Sequence, residues 1–406
     1  MDSFDFALAG VLLFVSSLVA MVTRRLNLPY STGLVAAGIL LALFDIGTAF
    51  TLTPQLVFTF LLPPLIFEAA IQIPWRPFRR ELPLLFLLVT IGVALAASVI
   101  ALGMHWLIGW SWLGAAFFGV LMAATDPVSV IALFRTVKVD DRLHLLVEAE
   151  SLLNDGVAAV GFAVLVLVAG GAAVGPVAIG TQLLVSAFGG SACGAAVAGL
   201  LLVLAGRTED RLVEISVTTI AAFGSFLLAE HFHLSGVLAA LAAGMVVGNV
   251  GRAGPISPAS RPAVAYFWEY AAFLANSVVF ILIGAQVVHI ALGPVLAAAV
   301  VAIVLTMVGR AATVYPVSAL FRRSRLAVSR GYQHVLWWGG LRGALALALA
   351  LALPANVAER GAIIAVSFAV VVFSVFVQGL TMAPFVRRLG LLRADADNDA
   401  AAVSIG

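Results

Sequence analysis

The chain consists of long apolar runs separated by short polar stretches, a pattern that repeats from Phe6 to Val386. Runs of about 20 apolar residues are typical of membrane-spanning helices. Barrel strands do not fit, because stretches such as Leu84 to Ala101 do not alternate in polarity. We therefore predict an all-α integral membrane protein with thirteen spans. The predicted spans are residues 5–22, 30–46, 53–73, 83–105, 112–134, 144–168, 177–205, 212–230, 234–250, 264–290, 293–320, 332–354 and 361–386.

Composition supports the membrane class and argues against several others. Of the 406 residues, 63% are hydrophobic and 10% are charged, whereas about 25% are charged in a typical soluble domain. The net charge of +2, without a long basic run, does not indicate nucleic acid as a partner. The single cysteine, Cys193, excludes an internal disulfide. No nucleotide fingerprint, phosphate loop, nucleophile motif or transition-metal spacing occurs in the sequence, so we expect neither an enzyme nor a cofactor.

Basic residues lie in alternate loops, and this alternation predicts an orientation. Of the 22 Lys and Arg residues, 19 lie in odd-numbered loops or after the last span, and only Arg360 lies in an even-numbered loop. Lys and Arg favour cytoplasmic loops. We therefore expect a multi-pass cell-membrane protein with its N-terminus outside and its C-terminus in the cytoplasm. The two remaining basic residues, Arg310 and Arg342, fall inside predicted spans.

Two aspartates lie near the centres of neighbouring spans. Asp126, in ATDPVSV of span 5, is followed by Pro127, and proline removes a helical backbone hydrogen bond. An interrupted helix beside a carboxylate is the kind of place where transporters hold cations. Asp155 lies in span 6, which runs antiparallel to span 5, so both carboxylates should lie at similar depth. Ser151 and Asn154 share one face of span 6 with Asp155.

Further charges inside the spans predict ion pairs, because burying a charge in a bilayer costs at least about 2.5 kcal/mol. Arg342 lies at the centre of span 12 in GGLRG and requires a carboxylate, for which Glu150 is a candidate. Arg310, a possible second buried arginine, lies at the centre of span 11. We expect it to pair with an acid such as Glu269 or Glu230.

Three acids lie nearer to the span ends. Glu68, in FLLPPLIFEAA of span 3, is predicted to line a vestibule or to serve as an accessory cation ligand. Glu148 precedes Asp155 by seven residues. It either shares the face of Asp155 or extends toward the solvent. Glu81 is close to a predicted helix end and is expected to be solvated.

Two interrupted spans occupy corresponding positions in the two halves of the chain. Span 5 contains Thr125-Asp126-Pro127, and span 12 contains glycines 339, 340 and 343. The two spans are seven apart, and an odd separation reverses their direction through the membrane. Paired interrupted spans point to an inverted-repeat transporter with a site near the midplane. We predict that spans 1–6 and 8–13 form the repeats, with discontinuous helices 5 and 12.

The motifs resemble those of the cation–proton antiporter family, in the NhaP and eukaryotic sodium–proton exchanger branch. The resemblance rests on FLLPPLIFEAA, ATDPVSV, EAESLLNDGVAAV, FLANSVVFILIG and GGLRGALALALAL, which run from about Phe60 to Leu351. It implies a homodimer with interface helices in 1–80 and 207–291. Core helices are implied in 81–170 and 292–390, with a linking helix in 171–206 and a short cytoplasmic tail in 391–406.

The same resemblance implies the site. Asp155 and Asp126 would bind the cation or the proton, assisted by Ser151 and the Thr125 backbone, with Glu68 as an accessory residue. Asn154 and Asp155 match the family's Asn-Asp pair. The resemblance also implies that Glu150 and Arg342 form a buried structural ion pair.

Together these features predict exchange of Na⁺, with Li⁺ following, for H⁺ by alternating access, with monovalent cations, protons and lipid as the partners. The residue before Asp155 is the neutral Asn154 and not a second acid, and we therefore predict electroneutral exchange. The open alternatives are K⁺/H⁺ exchange at the same site and a sodium-coupled symporter of small organic anions.

Overall fold

The computed structural model describes residues 6–26, 28–44, 52–126, 130–131, 134, 139–171, 175–206, 209–252, 254–291 and 293–391. Residues 130, 131 and 134 are helical, and we number fourteen further helices in chain order. They are α1 (Phe6–Leu26), α2 (Tyr30–Leu43), α3 (Leu56–Gln72), α4 (Trp75–Ile108), α5 (Trp112–Leu121), α6 (Asp141–Ala169), α7 (Pro176–Ala205), α8 (Arg211–His231), α9 (Gly236–Gly251), α10 (Arg261–Val287), α11 (Leu296–Leu320), α12 (Arg330–Trp338), α13 (Ala344–Leu351) and α14 (Arg360–Arg388).

The helices confirm a membrane protein built from α-helices. Within the described residues, seven helices are long and apolar enough to cross a bilayer, namely α4, α6, α7, α8, α10, α11 and α14. The shorter helices α2, α3, α5 and α9 are also apolar. Each predicted span overlaps one of the fourteen numbered helices or a pair of them, and span 5 overlaps α5 over Trp112–Leu121. The main difference is α4, which begins at Trp75, eight residues before the predicted start of span 4 at Pro83.

The helices pack into two bundles. In the first, α4 packs against α5 and α11, α5 against α6, and α14 against α11 and α13. In the second, α10 packs against α2 and α3, while α9 packs against α3, α7 and α8. We call these the first and second bundles. A cavity described below lies between them.

Glycines bring the helices of the second bundle into close contact. Where α2 crosses α10, a Cβ on Gly38 would collide with the Ile281 carbonyl, and a Cβ on Gly284 would collide with the Val35 carbonyl. Where α9 crosses α3, a Cβ on Gly248 would collide with the backbone of α3. Small residues at helix crossings let backbones approach closely and gain van der Waals contact, which drives helix association in lipid. These two crossings of the second bundle are therefore tight.

An ion pair joins three elements of the first bundle at the end of the molecule where Arg24 and Arg387 lie, which we call the basic end. The Arg142 Nε and Nη2 atoms donate to the two Glu81 carboxylate oxygens at 2.9 and 3.0 Å. The Arg142 guanidinium also donates to the carbonyls of Leu326 and Ala327. Glu81 is buried, so the expectation that it is solvated is wrong. Because α4 begins at Trp75, Glu81 lies well inside the helix and needs a partner.

The opposite end of the bundle is joined in a similar way. The Glu359 carboxylate accepts hydrogen bonds from the Ser111 amide and hydroxyl at 2.9 and 2.8 Å, which connects the start of α14 to the start of α5. The Arg360 guanidinium donates to the carbonyls of Leu353 and Leu351 at the end of α13. A cation at a helix C-terminus also interacts favourably with the helix dipole. This local role explains the one basic residue in an even-numbered loop.

Arg142→Ala should lower the thermal stability of the detergent-solubilised protein. The change removes the partner of the buried Glu81 carboxylate and frees two loop carbonyls. The cost is on the order of 1–3 kcal/mol for a buried polar group that loses its partner. Thermal unfolding followed by tryptophan fluorescence measures the effect. Arg79→Ala is the control, because Arg79 is an exposed arginine on α4, the helix that carries Glu81. Equal stability of the two variants would contradict the role given to the pair.

Candidate functional site

Two breaks in the helical backbone meet inside the first bundle. Helix α5 ends at Leu121, and Ala124 to Asp126 are not helical. Helix α12 ends at Trp338, and α13 begins only at Ala344. The Asp126 amide donates to the Leu341 carbonyl at 2.8 Å and so joins the two breaks. The interruption predicted for span 12 is confirmed, whereas Pro127 lies outside the described residues.

Helix α14 satisfies the backbone groups that the second break leaves open. The Arg342 amide donates to the Ser374 hydroxyl at 3.1 Å, and that hydroxyl lies at the same distance from the Arg342 carbonyl. The Gln378 side-chain amide donates to the Trp338 carbonyl at 2.9 Å. Both residues lie in the π-helical turn Ser374–Gly379 of α14. Non-helical backbone is tolerated at membrane depth only where protein or water satisfies it, and this π turn provides that support.

One face of α6 lies against the first break. The Asn154 side-chain amide donates to the Thr125 hydroxyl at 3.1 Å, and that hydroxyl lies 3.1 Å from the Ser151 hydroxyl. Thr125, Ser151 and Asn154 are all buried. Asp155 follows Asn154 on α6, so these contacts hold the Thr125-Asp126 backbone beside Asp155. The structure thus brings together the five residues that the sequence predicts for the cation site.

Asp155 is the acid at the centre of this arrangement. Its residue is 8% exposed, and its Oδ1 atom is buried without a hydrogen-bond partner among the described residues. The nearby charged and polar groups are the Asp126 carboxylate, the Thr125 backbone amide and the Arg342 guanidinium. Burying an unpartnered acceptor is costly. Such an atom is therefore suited to a proton or to a cation that prefers oxygen ligands.

The Asp126 side chain packs directly against the second break. A Cβ built on Gly343 would collide with the Asp126 carboxylate and would lie 2.5 Å from the Asp126 Cβ atom. Only glycine leaves the carboxylate this space. Gly343, one of the three glycines predicted to interrupt span 12, therefore leaves space for the Asp126 carboxylate of span 5.

A cavity of about 550 Å³ connects this site to the basic end. Thr125, Asp126 and Asp155 line one part of it, and Arg24 and Arg387 line another. Acidic side chains also line it from both bundles, and they are Glu68, Glu148 and Glu269. The structure thus places Glu68 in the same cavity as the two aspartates. Glu68 and Glu269 also line a smaller neighbouring cavity.

Glu150 pairs with Arg310, and the expected Glu150–Arg342 pair is wrong. The Arg310 Nη1 and Nη2 atoms donate to the two Glu150 oxygens at 2.6 and 2.7 Å. The Arg310 guanidinium also donates to the Leu336 carbonyl at the end of α12. Gly340 makes this possible, because a Cβ there would lie 2.7 Å from the Arg310 Nε atom. A glycine on span 12 therefore lets an arginine of span 11 reach Glu150.

Arg342 lies beside this pair rather than in it. Its Nη1 atom donates to the Gly340 carbonyl at 2.9 Å, and its buried Nε atom has no hydrogen-bond partner in the described part of the chain. The Arg342 guanidinium interacts electrostatically with the charged groups of Arg310, Glu150 and Asp155. The acids first suggested for Arg310 lie elsewhere. Glu230 accepts a hydrogen bond from the Gly236 amide, and Glu269 lines the cavity.

Glu148 is the lining residue that sequence reasoning left undecided. Its side chain is 7% exposed, so it does not extend to the bulk solvent, and it lines the same cavity as Asp155. The seven-residue spacing from Asp155 was the available signal, since it places both acids on nearly one helix face. From the sequence alone, extension of the Glu148 side chain toward the solvent was an equally good interpretation.

Comparison with known proteins identifies a family. The family model described as sodium/hydrogen exchanger, transmembrane, matches residues 10–388. The Na(+)/H(+) antiporter ApNhaP of Aphanothece halophytica is 38% identical over 368 residues, which cover 90% of this chain and 70% of the relative. The Na(+)/H(+) antiporter NhaH of Halobacillus dabanensis is 30% identical over 403 residues, which cover 94% of this chain and 97% of the relative.

A solved structure has the same fold. The sodium proton antiporter MjNhaP1 from Methanocaldococcus jannaschii superposes with a TM-score of 0.74 over 95% of this chain and 98% of that chain. The sequence identity is 19%, so this likeness concerns the fold.

Arg310→Ala should lower thermal stability more than Arg342→Ala. Only the first change leaves the fully buried Glu150 without its bidentate partner, and breaking a buried pair costs about 3–5 kcal/mol. Thermal unfolding in one detergent compares the two variants. The double variant Glu150→Gln/Arg310→Gln should be more stable than Arg310→Ala, because no buried charge then lacks a partner. A larger loss in Arg342→Ala would mean that Arg342 holds Glu150.

Proposed function

Because the chain belongs to the sodium/hydrogen exchanger family, it is a secondary active transporter, a Na⁺/H⁺ antiporter, and we propose that exchange takes place at Asp155 and Asp126. The observation that carries this proposal is the Asp155 carboxylate. It is buried, has an oxygen without a hydrogen-bond partner among the residues that the structure describes, and lies in a cavity that reaches one end of the molecule. The second acid, Asp126, is its electrostatic neighbour.

Exchange follows from competition at these oxygens. A cation and a proton are both attracted to the same carboxylates, so binding of one displaces the other. Two interacting acids titrate as a coupled pair. Oxygen ligands from Asp155, Asp126, the Ser151 hydroxyl and the Thr125 backbone would suit Na⁺ and the smaller Li⁺. Asn154 supports the site differently, because its amide ties α6 to Thr125.

Alternating access is proposed as movement of the first bundle against the second, around the inverted repeat of spans 1–6 and 8–13. The packing supports this symmetry. In this repeat, span 2 corresponds to span 9, and span 3 corresponds to span 10. The crossing of α2 with α10 therefore corresponds to the crossing of α9 with α3. Both crossings are tight and glycine-mediated. The same repeat relates span 4 to span 11 and span 5 to span 12. It therefore leaves three contacts unchanged, namely α4–α11, α5–α13 and the hydrogen bond between the two breaks.

The proposed arrangement has thirteen spans with the basic end in the cytoplasm, as the loop charges indicate. The cavity then opens to the cytoplasm. Residues 81–170 and 292–390 would form the moving core. Residues 1–80 and 207–291 would form the interface domain of a homodimer in the cell membrane. Glu68, on α3, would assist cation entry from this side.

The organic-anion symporter remains the less favoured rival. It would need an arginine that is free to bind a carboxylate substrate, and Arg342 has no acid within ion-pair distance in the described structure. However, Arg342 is 2% exposed and does not line the cavity, whose acidic side chains would repel an anion. K⁺/H⁺ exchange at the same site is tested by the cation series below.

Asp155→Asn should reduce exchange to the level of protein-free liposomes while the variant still purifies as a folded protein. The neutral amide can carry neither the proton nor the charge that balances the cation. Proteoliposomes with a fluorescent pH indicator measure proton flux on addition of Na⁺, Li⁺ or K⁺ at several pH values. Asp210→Asn is a control outside the cavity. Cation-driven flux retained in Asp155→Asn would refute the proposed site.

Exchange should be electroneutral, with one cation moved per proton, because the residue before Asp155 is the neutral Asn154. At saturating cation, the rate should not change when the membrane potential is clamped at different values with valinomycin and K⁺ gradients. A rate that follows the potential would show that net charge moves in each cycle.

A further inference from the structure

The cavity contains an acid that the proposed exchange cycle does not use. Glu148 lies seven residues before Asp155 on α6, which is about two turns or roughly 10 Å along the axis. It lies on the side of Asp155 that faces the basic end. The residue is 6% exposed and lines the same cavity as Asp126 and Asp155.

Glu148 combines burial with a place on the cavity wall. The His144 Nε2 atom lies 3.6 Å from its Oε2 atom, a separation beyond hydrogen-bonding range. The cost of an ionisable group at membrane depth makes function the default interpretation when the group lines a water-accessible path.

The charges along the cavity follow an order. Arg24 and Arg387 line it at the basic end, Glu148 lies on the α6 wall, and Asp126 and Asp155 lie at the breaks. Glu68 and Glu269 face the cavity from the second bundle, on α3 and α10. A cation that enters from the basic end therefore meets carboxylates from both walls before it reaches Asp155. Of these acids, only Glu148 is on the same helix as Asp155.

We propose that Glu148 is a transit ligand, a carboxylate that directly contacts the monovalent cation between the basic end and Asp155. The proposal rests on the exchange function given above. A carboxylate oxygen replaces part of the hydration shell of a hard cation and lowers the cost of entry into the narrow part of the cavity. Because Glu148 and Asp155 share α6, their spacing stays fixed when the bundles move, whereas Glu68 and Glu269 stay with the other bundle.

The position of Glu148 on one side of Asp155 gives a test with an internal reference. Glu148→Gln should raise the KM for the cation several-fold when the cation is supplied at the basic end. It should leave the KM at the opposite face unchanged and should retain turnover at saturating cation. Inside-out and right-side-out membrane vesicles present the two faces. A distorted Asp155 site would instead raise the KM at both faces or lower turnover.

Two further variants sharpen the test. Glu148→Asp keeps the charge and should keep the KM close to the wild-type value. Glu209→Gln removes an exposed carboxylate that does not line the cavity, and it should leave the KM unchanged at both faces. The effect of Glu148→Gln should persist when ionic strength is raised with an impermeant salt, because direct contact is screened far less than long-range attraction.

The outcomes separate the two proposals. If wild-type vesicles show no cation-driven proton flux, the exchange function itself fails. If the wild type is active and Glu148→Gln has a wild-type KM at both faces, the transit role is overturned. It is also overturned if the KM rises equally at both faces, or if the rise disappears at high ionic strength. A one-sided rise that Glu148→Asp reverses supports it.

Discussion

The hydrogen bond from the Asp126 amide to the Leu341 carbonyl is the contact on which the site depends. Backbone polar groups in a membrane require partners inside the protein, so one broken helix would be costly by itself. Two breaks that face each other can share the cost, and here one donates to the other. The junction fixes Asp126 against Gly343 and places Thr125 within reach of Ser151 and Asn154. The acids are therefore held by backbone geometry before any cation binds.

Around the junction, buried charges are arranged so that one acid is neutralised and another is not. Arg310 binds both oxygens of Glu150 and anchors the end of α12 through the Leu336 carbonyl. Asp155 keeps a buried oxygen without a hydrogen bond, although the Arg342 guanidinium is among its neighbours. A carboxylate held in a complete bidentate pair has little capacity left for a cation. Glu150 and Asp155 lie five residues apart on one helix and differ in their partners.

Hydrophobic periodicity was sufficient to predict the membrane helices, because a bilayer constrains the length and composition of each segment. The pairing of spans 5 and 12 was also predictable, since proline and the glycines mark where a helix cannot continue. The choice of arginine for Glu150 was not predictable, because it depends on the space that Gly340 leaves for a side chain from another helix. Glu81 was misjudged for a related reason, since its burial follows from where α4 begins. Sequence thus indicates which charges need partners, and packing decides which partners they obtain.

The dependence of the second break on α14 has a consequence for biosynthesis. Ser374 and Gln378, which satisfy the backbone at Arg342 and Trp338, belong to α14, which follows both aspartates in chain order. A nascent chain that has already inserted both aspartates still lacks these two side chains. The region around the two aspartates can therefore reach its final form only after α14 has been inserted. A chain without α14 would hold an unsupported break in the bilayer, which gives membrane quality control a local defect to detect.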